Sequence, residues 1–306
     1  MRSLGTQVAG HGAAVITAII WGTTFISTKV LLRDFSPLEI LVLRFIMGFL
    51  LLCIMKPGPI RTKNWKEEGM MAGAGLTGIC LYYLLENVAL TFTQASNISV
   101  IVSVAPIFTA LMAHFFLDGE RLKGSFLVGF VCAMAGIFLI TFQGSEGVTL
   151  NPTGDIMALS AAVVWGVYSI LSKKIGEMGY DTIKATRRIF FYGILFMIPP
   201  LFFMDFHPDF GKVVLPVNLF NLVYLGLGAS AMCFVTWNYS VRVLGAVKTS
   251  IYIYMIPVIT IITSIPILHE VITPRAAAGT VLALLGLVLS EGRWELPGRR
   301  MTSCRK

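Results

Sequence analysis

The sequence predicts an all-α integral membrane protein of ten transmembrane helices, arranged as two inverted five-helix repeats. Composition is the first observation behind this class. Of 306 residues, 56% are hydrophobic and only 13% are charged, whereas a soluble globular protein has about 25% charged residues. The second is the presence of stretches without Asp, Glu, Lys or Arg, such as 87–117 and 213–241, which exceed the ~20 apolar residues that span a bilayer. The third is an internal repeat.

Apolar segments separated by polar or Pro/Gly-rich breaks define the individual spans. Backbone polar groups in lipid must be paired within a helix or around a closed barrel, and long apolar runs without strict alternation exclude the barrel. The predicted spans are 12–32, 38–55, 70–91, 95–117, 124–142, 154–173, 184–204, 217–241, 246–267 and 275–292.

Basic residues predict the orientation of these spans. Nineteen of the 24 Lys and Arg residues fall in the loops on the side that carries both termini. The positive-inside rule therefore predicts cytoplasmic termini in a plasma or inner membrane, with 295–306 as a basic cytoplasmic tail. The net charge of +8 comes from span ends rather than from one folded face, so it does not indicate nucleic-acid binding.

The internal repeat is clearest in two apolar stretches, "AIIWGTTFISTKV" at 18–30 and "AVVWGVYSILSKK" at 162–174. A shift of 144 residues superimposes Trp21 on Trp165 and Lys29 on Lys173. With shifts of 144 to 151 residues, further pairs are Arg44 with Arg188, Asn87 with Asn238, Ser99 with Ser250 and Pro106 with Pro257. The repeat divides the chain into units 1–148 and 149–294.

Five spans in each unit have a topological consequence. Because five is odd, the second unit must enter the membrane from the opposite side. Inverted repeats are typical of secondary transporters, in which two related halves move against each other around a site near the membrane midplane. We expect Lys29 and Lys173 to lie at opposite ends of such a pathway and to help close it.

The Trp-Gly openings of helices 1 and 6, the prolines of helices 4 and 9, and an acid after each ("DGERL", "LHEVI") resemble the EamA-type family of the drug/metabolite transporter superfamily. The resemblance covers nearly the whole chain. It implies ten helices in two inverted halves and movement of small metabolites, often export of amino acids or related compounds. One feature departs from the superfamily: smaller four-helix relatives couple to protons through a glutamate in their first helix, and 12–32 contains no carboxylate.

Polar and aromatic residues at helical spacing are the candidate substrate-binding residues, because steps of three and four place side chains on one face. Aromatic rings and hydroxyls together suit a small amphipathic molecule. The alternatives are that the small residues permit close helix packing, that the tryptophans fill space, and that the asparagines join helices. The candidates are Trp21, Thr24, Thr28, Tyr83, Asn87, Ser99, Ser103, Trp165, Tyr168, Ser172, Asn238, Ser250 and Tyr254, with Pro106 and Pro257 as helix kinks.

Ionisable residues inside spans are the candidate gating or coupling charges, because each costs about 2.5–3.5 kcal/mol at mid-membrane on insertion scales. Lys29, Arg44 and Glu86 fall in the outer third, with Glu39 nearby, and Lys173, Arg187 and Arg188 fall in the inner third, with Glu177 and Asp181 as candidate partners. Glu86 then binds a proton or a substrate amine, while the cations meet a substrate carboxylate. The alternative is that the cations reach lipid headgroups and that Glu86 is statically paired.

Small residues four apart occur on helices 5 and 10, at Gly129 and Ala133, at Gly279 and Ala283, and at Gly286 and Ser290. They indicate either packing of these two helices against each other or a homodimer.

These observations predict a secondary active transporter, acting as an exporter of a small amphipathic metabolite such as an amino acid or related carboxylate. Its partners are the metabolite, the lipid bilayer and a proton or counter-substrate, and no nucleic acid. No metal or cofactor is expected, because His114 and His269 lack metal-ligating companions in the sequence. A channel or lipid scramblase is the alternative, and an integral membrane enzyme is a weaker one, because the spans show no catalytic cluster.

Overall fold

The computed structural model describes residues 4–92, 95–118, 124–141, 152–268 and 274–290, and every regular element in these ranges is helical. Six of the described helices are long and apolar enough to cross a membrane: Leu4–Leu31, Pro37–Met55, Trp65–Phe92, Ile98–Phe116, Pro152–Glu177 and Pro216–Leu244. This confirms the predicted all-α membrane class.

Helical segments overlap each predicted span, and we label them α1 to α10 accordingly. Eight are α1 (Leu4–Leu31), α2 (Pro37–Met55), α3 (Trp65–Phe92), α5 (Gly124–Thr141), α6 (Pro152–Glu177), α7 (Thr182–Phe196), α8 (Pro216–Leu244) and α10 (Pro274–Ser290). Two are interrupted: α4 consists of Ala95–Val102 and Ala105–Phe116, and α9 consists of Ala246–Ser250, the 3₁₀ turn Ile251–Tyr254 and Met255–Leu268. Because α5, α7, α9 and α10 are not among the six helices that are long and apolar enough to cross a membrane, the number of ten membrane crossings stays a prediction.

Several helix ends differ from the predicted bounds. Helix α3 begins at Trp65 rather than at 70, because the Asn64 side chain accepts a hydrogen bond from the Glu67 amide and caps the helix. Helix α7 ends at Phe196 rather than at 204, before Pro199 and a short 3₁₀ turn. Three of the predictions concern residues outside the described ranges. They are the boundary at 148/149, the tail 295–306, and the acids Glu120 of "DGERL" and Glu270 of "LHEVI".

Helices α3 and α8, which are equivalent in the repeat, each contain a π-helical segment. The segments are Leu76–Leu81 in α3 and Tyr224–Met232 in α8. At their ends the amide of Tyr82 donates to the carbonyl of Thr77, and the amide of Cys233 to that of Gly228, five residues back instead of four. Hydropathy does not show this change of hydrogen-bond register.

The direction of α1 relative to α8 follows from their hydrogen bonds. The hydroxyls of Thr17 and Thr236 are 2.6 Å apart, and Trp21 Nε1 donates to the Ala229 carbonyl at 2.9 Å. Residue numbers rise along α1 as they fall along α8, so these helices are antiparallel.

Helix α6 runs in the same direction as α8. The rings of Trp165 and Phe234 have centroids 6.1 Å apart, and Ser172 Oγ donates to Asn238 Oδ1 at 2.8 Å, so residue numbers rise together. Helices α1 and α6, which open the two repeat units, therefore run in opposite directions, as an inverted repeat requires.

Glycines bring α5 and α10 into backbone contact. A Cβ atom placed on Gly129 would lie 2.6 Å from the carbonyl oxygen of Gly286, and one on Gly136 would lie 2.4 Å from the amide nitrogen of Ala283. The small residues of both helices are therefore used within the chain, which is the first of the two alternatives given above. A homodimer would have to use other faces of α5 and α10.

Candidate functional site

A cavity lies at the centre of the molecule, where helices of both repeat units meet. The space that the centre of a water-sized sphere can occupy in it is about 20 Å³. Holding a single water requires about 10–15 Å³ of such space. In this conformation the cavity therefore has room for one or two water molecules and is too small for an amino acid. The cavity is lined by Trp21, Thr24, Phe25, Tyr82, Tyr83, Glu86, Val102, Trp165, Ile253 and Ile256.

Two tryptophans related by the repeat form one wall of the cavity. The ring centroids of Trp21 and Trp165 are 5.3 Å apart, with an interplanar angle of 84°. The indole nitrogen of Trp21 donates to the Ala229 carbonyl at 2.9 Å, within the π segment of α8. The indole nitrogen of Trp165 is buried and has no hydrogen-bond partner among the described residues. The two rings are thus equivalent in position but not in hydrogen bonding.

Glu86 is the acidic residue of the cavity wall. Its side chain is only 5% exposed, and its Oε2 atom has no hydrogen-bond partner among the described residues. A buried carboxylate oxygen without a partner is costly, so an unsatisfied one at membrane depth indicates a functional site. In the second unit Trp237 occupies the equivalent position, which makes the cavity electrostatically asymmetric.

Arg44 lies behind the cavity wall rather than in it. Its guanidinium is 4.4 Å from the ring centroid of Tyr83, and its Nε atom donates to Ser230 Oγ at 2.9 Å. The residue is 1% exposed, and its positive charge acts on Glu86 through this packed environment. A guanidinium stacked on a tyrosine is stabilised by a cation–π interaction. Arg44 therefore offsets part of the charge of Glu86 without lining the cavity.

The structure brings five of the predicted site residues together in the cavity wall: Trp21, Thr24, Tyr83, Glu86 and Trp165. The prediction missed the other five, which are Phe25, Tyr82, Val102, Ile253 and Ile256. Phe25 lies one helical turn beyond Trp21, so helical spacing could have found it. The aliphatic residues carry no such signal, because in a membrane protein their side chains are the same as those that face lipid.

The predicted polar residues of α6 and α8 form an interhelical network outside the cavity wall. Asn238 Oδ1 accepts hydrogen bonds from the hydroxyls of Tyr168 at 2.6 Å and Ser172 at 2.8 Å. Asn238 Nδ2 donates to Thr186 Oγ1 on α7 at 3.0 Å. In this conformation the network joins three helices, as in the alternative that the asparagines hold helices together. Substrate contact by these residues stays a prediction.

The remaining predicted residues also lie outside the cavity wall. Asn87 Nδ2 donates to the Pro37 carbonyl at 3.2 Å, and Ser103 Oγ donates to the Ser99 carbonyl at 2.6 Å. Three further candidates are also buried without lining the cavity: Thr28, Ser250 and Tyr254. Pro106 is the second residue of the second part of α4, and Pro257 is the third residue after the 3₁₀ turn of α9.

The members of the predicted outer charge group have different partners in this conformation, and their role in gating stays a prediction. Lys29 Nζ donates to the Leu90 carbonyl at 2.7 Å. The carboxylate of Glu39 accepts from the amides of Ser36 at 2.7 Å and His207 at 2.8 Å. Glu39 forms the capping box that begins α2, and its carboxylate is thereby used. Arg44 and Glu86 are the outer charges that remain close to the cavity.

The predicted inner charge group needs correction. Lys173 pairs with Glu177 at 3.2 Å, as expected, but Asp181 pairs with Lys56 at 3.5 Å. Arg188 pairs with Glu68 at 2.6 Å, although Glu68 was not among the predicted partners. Finding this pair would have required knowing that α3 and α7 are neighbours. Arg187 donates instead to the backbone carbonyls of Lys56 and Gly58.

Two sets of contacts join the repeat units at opposite ends of α2 and α7. Turn contact A joins residues 34–39, between α1 and α2, to residues 205–218, between α7 and α8. Turn contact B joins residues 56–68, around the α2–α3 loop, to residues 180–192, at the start of α7. Exchanging the two units converts contact A into contact B.

No metal site is present within the part of the chain that the structure describes, because no group of three or more His, Cys, Asp or Glu side chains could hold an ion.

Comparison with known proteins identifies the family. The EamA-like transporter family matches the chain twice, over residues 8–142 and 152–291. A probable terminal-alkyne amino-acid exporter of Streptantibioticus cattleyicolor is 29% identical over 94% of this chain and 97% of its own. A probable amino-acid metabolite efflux pump of Escherichia coli is 24% identical over 90% of this chain and 93% of its own. An uncharacterized transporter of Archaeoglobus fulgidus is 26% identical over 92% and 97%.

A solved crystal structure shares the fold. It superimposes with a TM-score of 0.75 over 94% of this chain and 97% of its own, at 18% sequence identity. The family match covers most of the sequence and confirms the resemblance found from its motifs. The chain belongs to the EamA-like transporter family, and it is a multi-pass membrane transporter of small metabolites rather than an enzyme.

Proposed function

We propose that the protein is a secondary active exporter of a small amphipathic metabolite, such as an amino acid or related carboxylate. The observation that carries this proposal is the cavity, which residues of both repeat units line and which Trp21 and Trp165 wall. A site between two oppositely oriented units is what alternating access requires. The names of two relatives, an amino-acid exporter and an amino-acid metabolite efflux pump, support the cargo class.

Turn contacts A and B support a mechanism in which one end of the pathway opens while the other stays shut. Contact B contains the short ion pair between Arg188 and Glu68, at 2.6 Å, and contact A contains the longer pair between Lys212 and Asp34, at 3.8 Å. Because the units contribute equivalent segments to both contacts, rocking one unit against the other loosens one contact and keeps the other. On the orientation predicted from basic residues, contact B is cytoplasmic and both termini face the cytoplasm.

Glu86 is the group that we propose to couple transport to a proton or to a counter-substrate. It is a buried carboxyl group in the cavity wall, and one of its oxygens has no hydrogen-bond partner in the part of the chain that the structure describes. A carboxylate that alternates between protonated and charged forms makes transport depend on pH. Glu86→Gln removes the titrating group and should abolish that dependence, whereas an unchanged pH profile would assign Glu86 to static pairing.

Counterflow in proteoliposomes tests the proposed function. Vesicles containing the purified protein are loaded with one unlabelled amino acid at a time, and uptake of the same labelled amino acid is followed. A transporter accumulates label transiently above its equilibrium level because internal cargo drives exchange. Trp165→Ala should reduce this exchange strongly, while Trp65→Ala, at a position that is 90% exposed, should leave it intact.

The same vesicles distinguish the alternatives. A channel releases cargo without acceleration by cargo on the far side, and a scramblase moves fluorescent lipid between leaflets. Counterflow absent for every amino acid, together with either of these activities, would reject the exporter.

A further inference from the structure

We infer that the cavity recognises the ammonium group of its cargo, and that the protein therefore selects amino compounds over carboxylic acids that lack an amine. This inference rests on the proposed function, because it takes the cavity to be the cargo site. It names Glu86 as the partner of the ammonium group and the indole N–H of Trp165 as the partner of a neutral or anionic acceptor on the same cargo.

The polar groups that line the cavity are unequal in sign. Glu86 presents a carboxylate oxygen that is buried and has no partner among the described residues. Of the other residues that line the cavity, none is a lysine, arginine or histidine. Arg44, the cation whose charge acts on Glu86, lies behind Tyr83; its Nε atom donates to Ser230, and its buried Nη2 atom has no hydrogen-bond partner among the described residues. An ammonium group in the cavity thus meets a charged partner directly, and a carboxylate does not.

The aromatic walls favour the same sign of charge. Five of the ten lining residues have aromatic rings: Trp21, Phe25, Tyr82, Tyr83 and Trp165. The face of an aromatic ring carries negative charge density, so it attracts an ammonium group and repels a carboxylate. A cation in this cavity is therefore stabilised by the rings as well as by Glu86.

The unpartnered indole nitrogen of Trp165 supplies the second contact. It is a neutral donor, so it can hold a carboxylate, carbonyl or hydroxyl oxygen, and it gives no preference for charge. Its equivalent, Trp21, cannot do the same in this conformation because its indole N–H is bonded to Ala229. The cavity thus offers an acidic acceptor and, in the Trp165 indole, a neutral donor without a partner among the described residues, which fits a cargo with an ammonium group at one end of its polar part.

Matched sets of probes test this assignment by binding alone. One set is L-leucine, 3-methylbutylamine and 4-methylpentanoate, which share a body and carry both groups, only the amine or only the carboxylate. The second set is L-phenylalanine, 2-phenylethylamine and 3-phenylpropanoate. Binding to the full-length protein in detergent is measured by the shift in its thermal unfolding temperature. The acids should bind roughly 10- to 100-fold more weakly than the amines, as expected for loss of a charge-assisted hydrogen bond.

Variants assign the preference to the named residues. Glu86→Gln should remove the preference for amines, and Glu86→Asp should retain part of it. Asp155→Asn, a carboxylate-to-amide change in the first turn of α6 and outside the cavity, should leave the preference intact. Trp165→Phe should weaken L-leucine relative to 3-methylbutylamine by roughly 3- to 10-fold. Trp237→Phe is its control, because that indole N–H is also buried without a hydrogen-bond partner among the described residues, and Trp237 does not line the cavity.

Three results overturn the inference: acids that bind as tightly as the amines, an amine preference that survives in Glu86→Gln, or no shift with any probe of either set. Because the readout is binding, failure of the proposed function is separate. Amine-selective binding without counterflow would keep this assignment and reject the transporter mechanism, and counterflow with a preference for acids would do the reverse.

Discussion

Gly75 lies where α3 of the first unit touches α7 of the second, and replacing it with alanine tests that packing. A Cβ atom at this position would lie 2.6 Å from the carbonyl oxygen of Ile189 and 2.7 Å from the amide nitrogen of Gly193. Both are backbone atoms, so no side-chain rotation can relieve the contact, and the helices must separate by a few tenths of an ångström or more. Overpacking of this kind costs about 1–3 kcal/mol.

The helix propensity of alanine opposes this cost, since Gly→Ala in a helix interior gains about 1 kcal/mol. Gly69→Ala in the same helix isolates the two terms, because a Cβ atom on Gly69 meets nothing within 4 Å. We therefore expect Gly75→Ala to unfold several degrees below Gly69→Ala, with Gly69→Ala at or slightly above the wild type. Tryptophan fluorescence during heating in one detergent, at one scan rate, measures all three. The packing argument is refuted if Gly75→Ala is as stable as Gly69→Ala.

Three further predictions concern contacts described above. Asn238→Leu should lower the free energy of unfolding by about 1–3 kcal/mol, because the buried hydroxyl of Tyr168 loses its acceptor; chemical denaturation measures this, and an unchanged midpoint would contradict it. Arg188→Gln should weaken turn contact B by removing the pair with Glu68, which would raise the labelling rate of a cysteine introduced near that end severalfold; equal rates would show that the pair does not hold the end shut. Ser36→Ala should cost about 1 kcal/mol through loss of the capping box of α2, and Ser36→Thr should retain most of the stability in the same melt.

The fold was accessible from the sequence because hydropathy and charge placement act on whole segments. The π segments that interrupt α3 and α8 could not be predicted in this way. The π segments depend on which carbonyl each amide meets, and apolar composition is the same for either choice. Helix ends such as that of α3 at Trp65 depend on a single capping side chain, Asn64, which a hydropathy argument does not weigh.

The candidate site was accessible in part. The repeat pointed to Trp21 and Trp165, because two copies of one motif in opposed units meet where the units meet. Glu86 stood out because a carboxylate is expensive at that depth. Partner identities could not be predicted, since they depend on which helices are neighbours: Asn238 meets Tyr168 and Ser172 only because α6 and α8 run side by side.

The π segment of α3 also constrains which sequence changes this helix tolerates. A hydrogen bond to the fifth preceding residue accommodates one more amino acid in the turn than an α-helical bond does. Deleting one residue from Leu76–Leu81 would let the helix close into a regular α-helix. The downstream residues would keep their orientation, whereas closing all of Leu76–Leu81 into an α-helix without a deletion would reorient them by about 100° about the helix axis, the angle of one α-helical residue. In that second case Glu86 would leave the cavity wall although its own neighbours in the sequence were untouched, so the hydrogen-bond register of this segment matters to the candidate site as much as the identity of the acid.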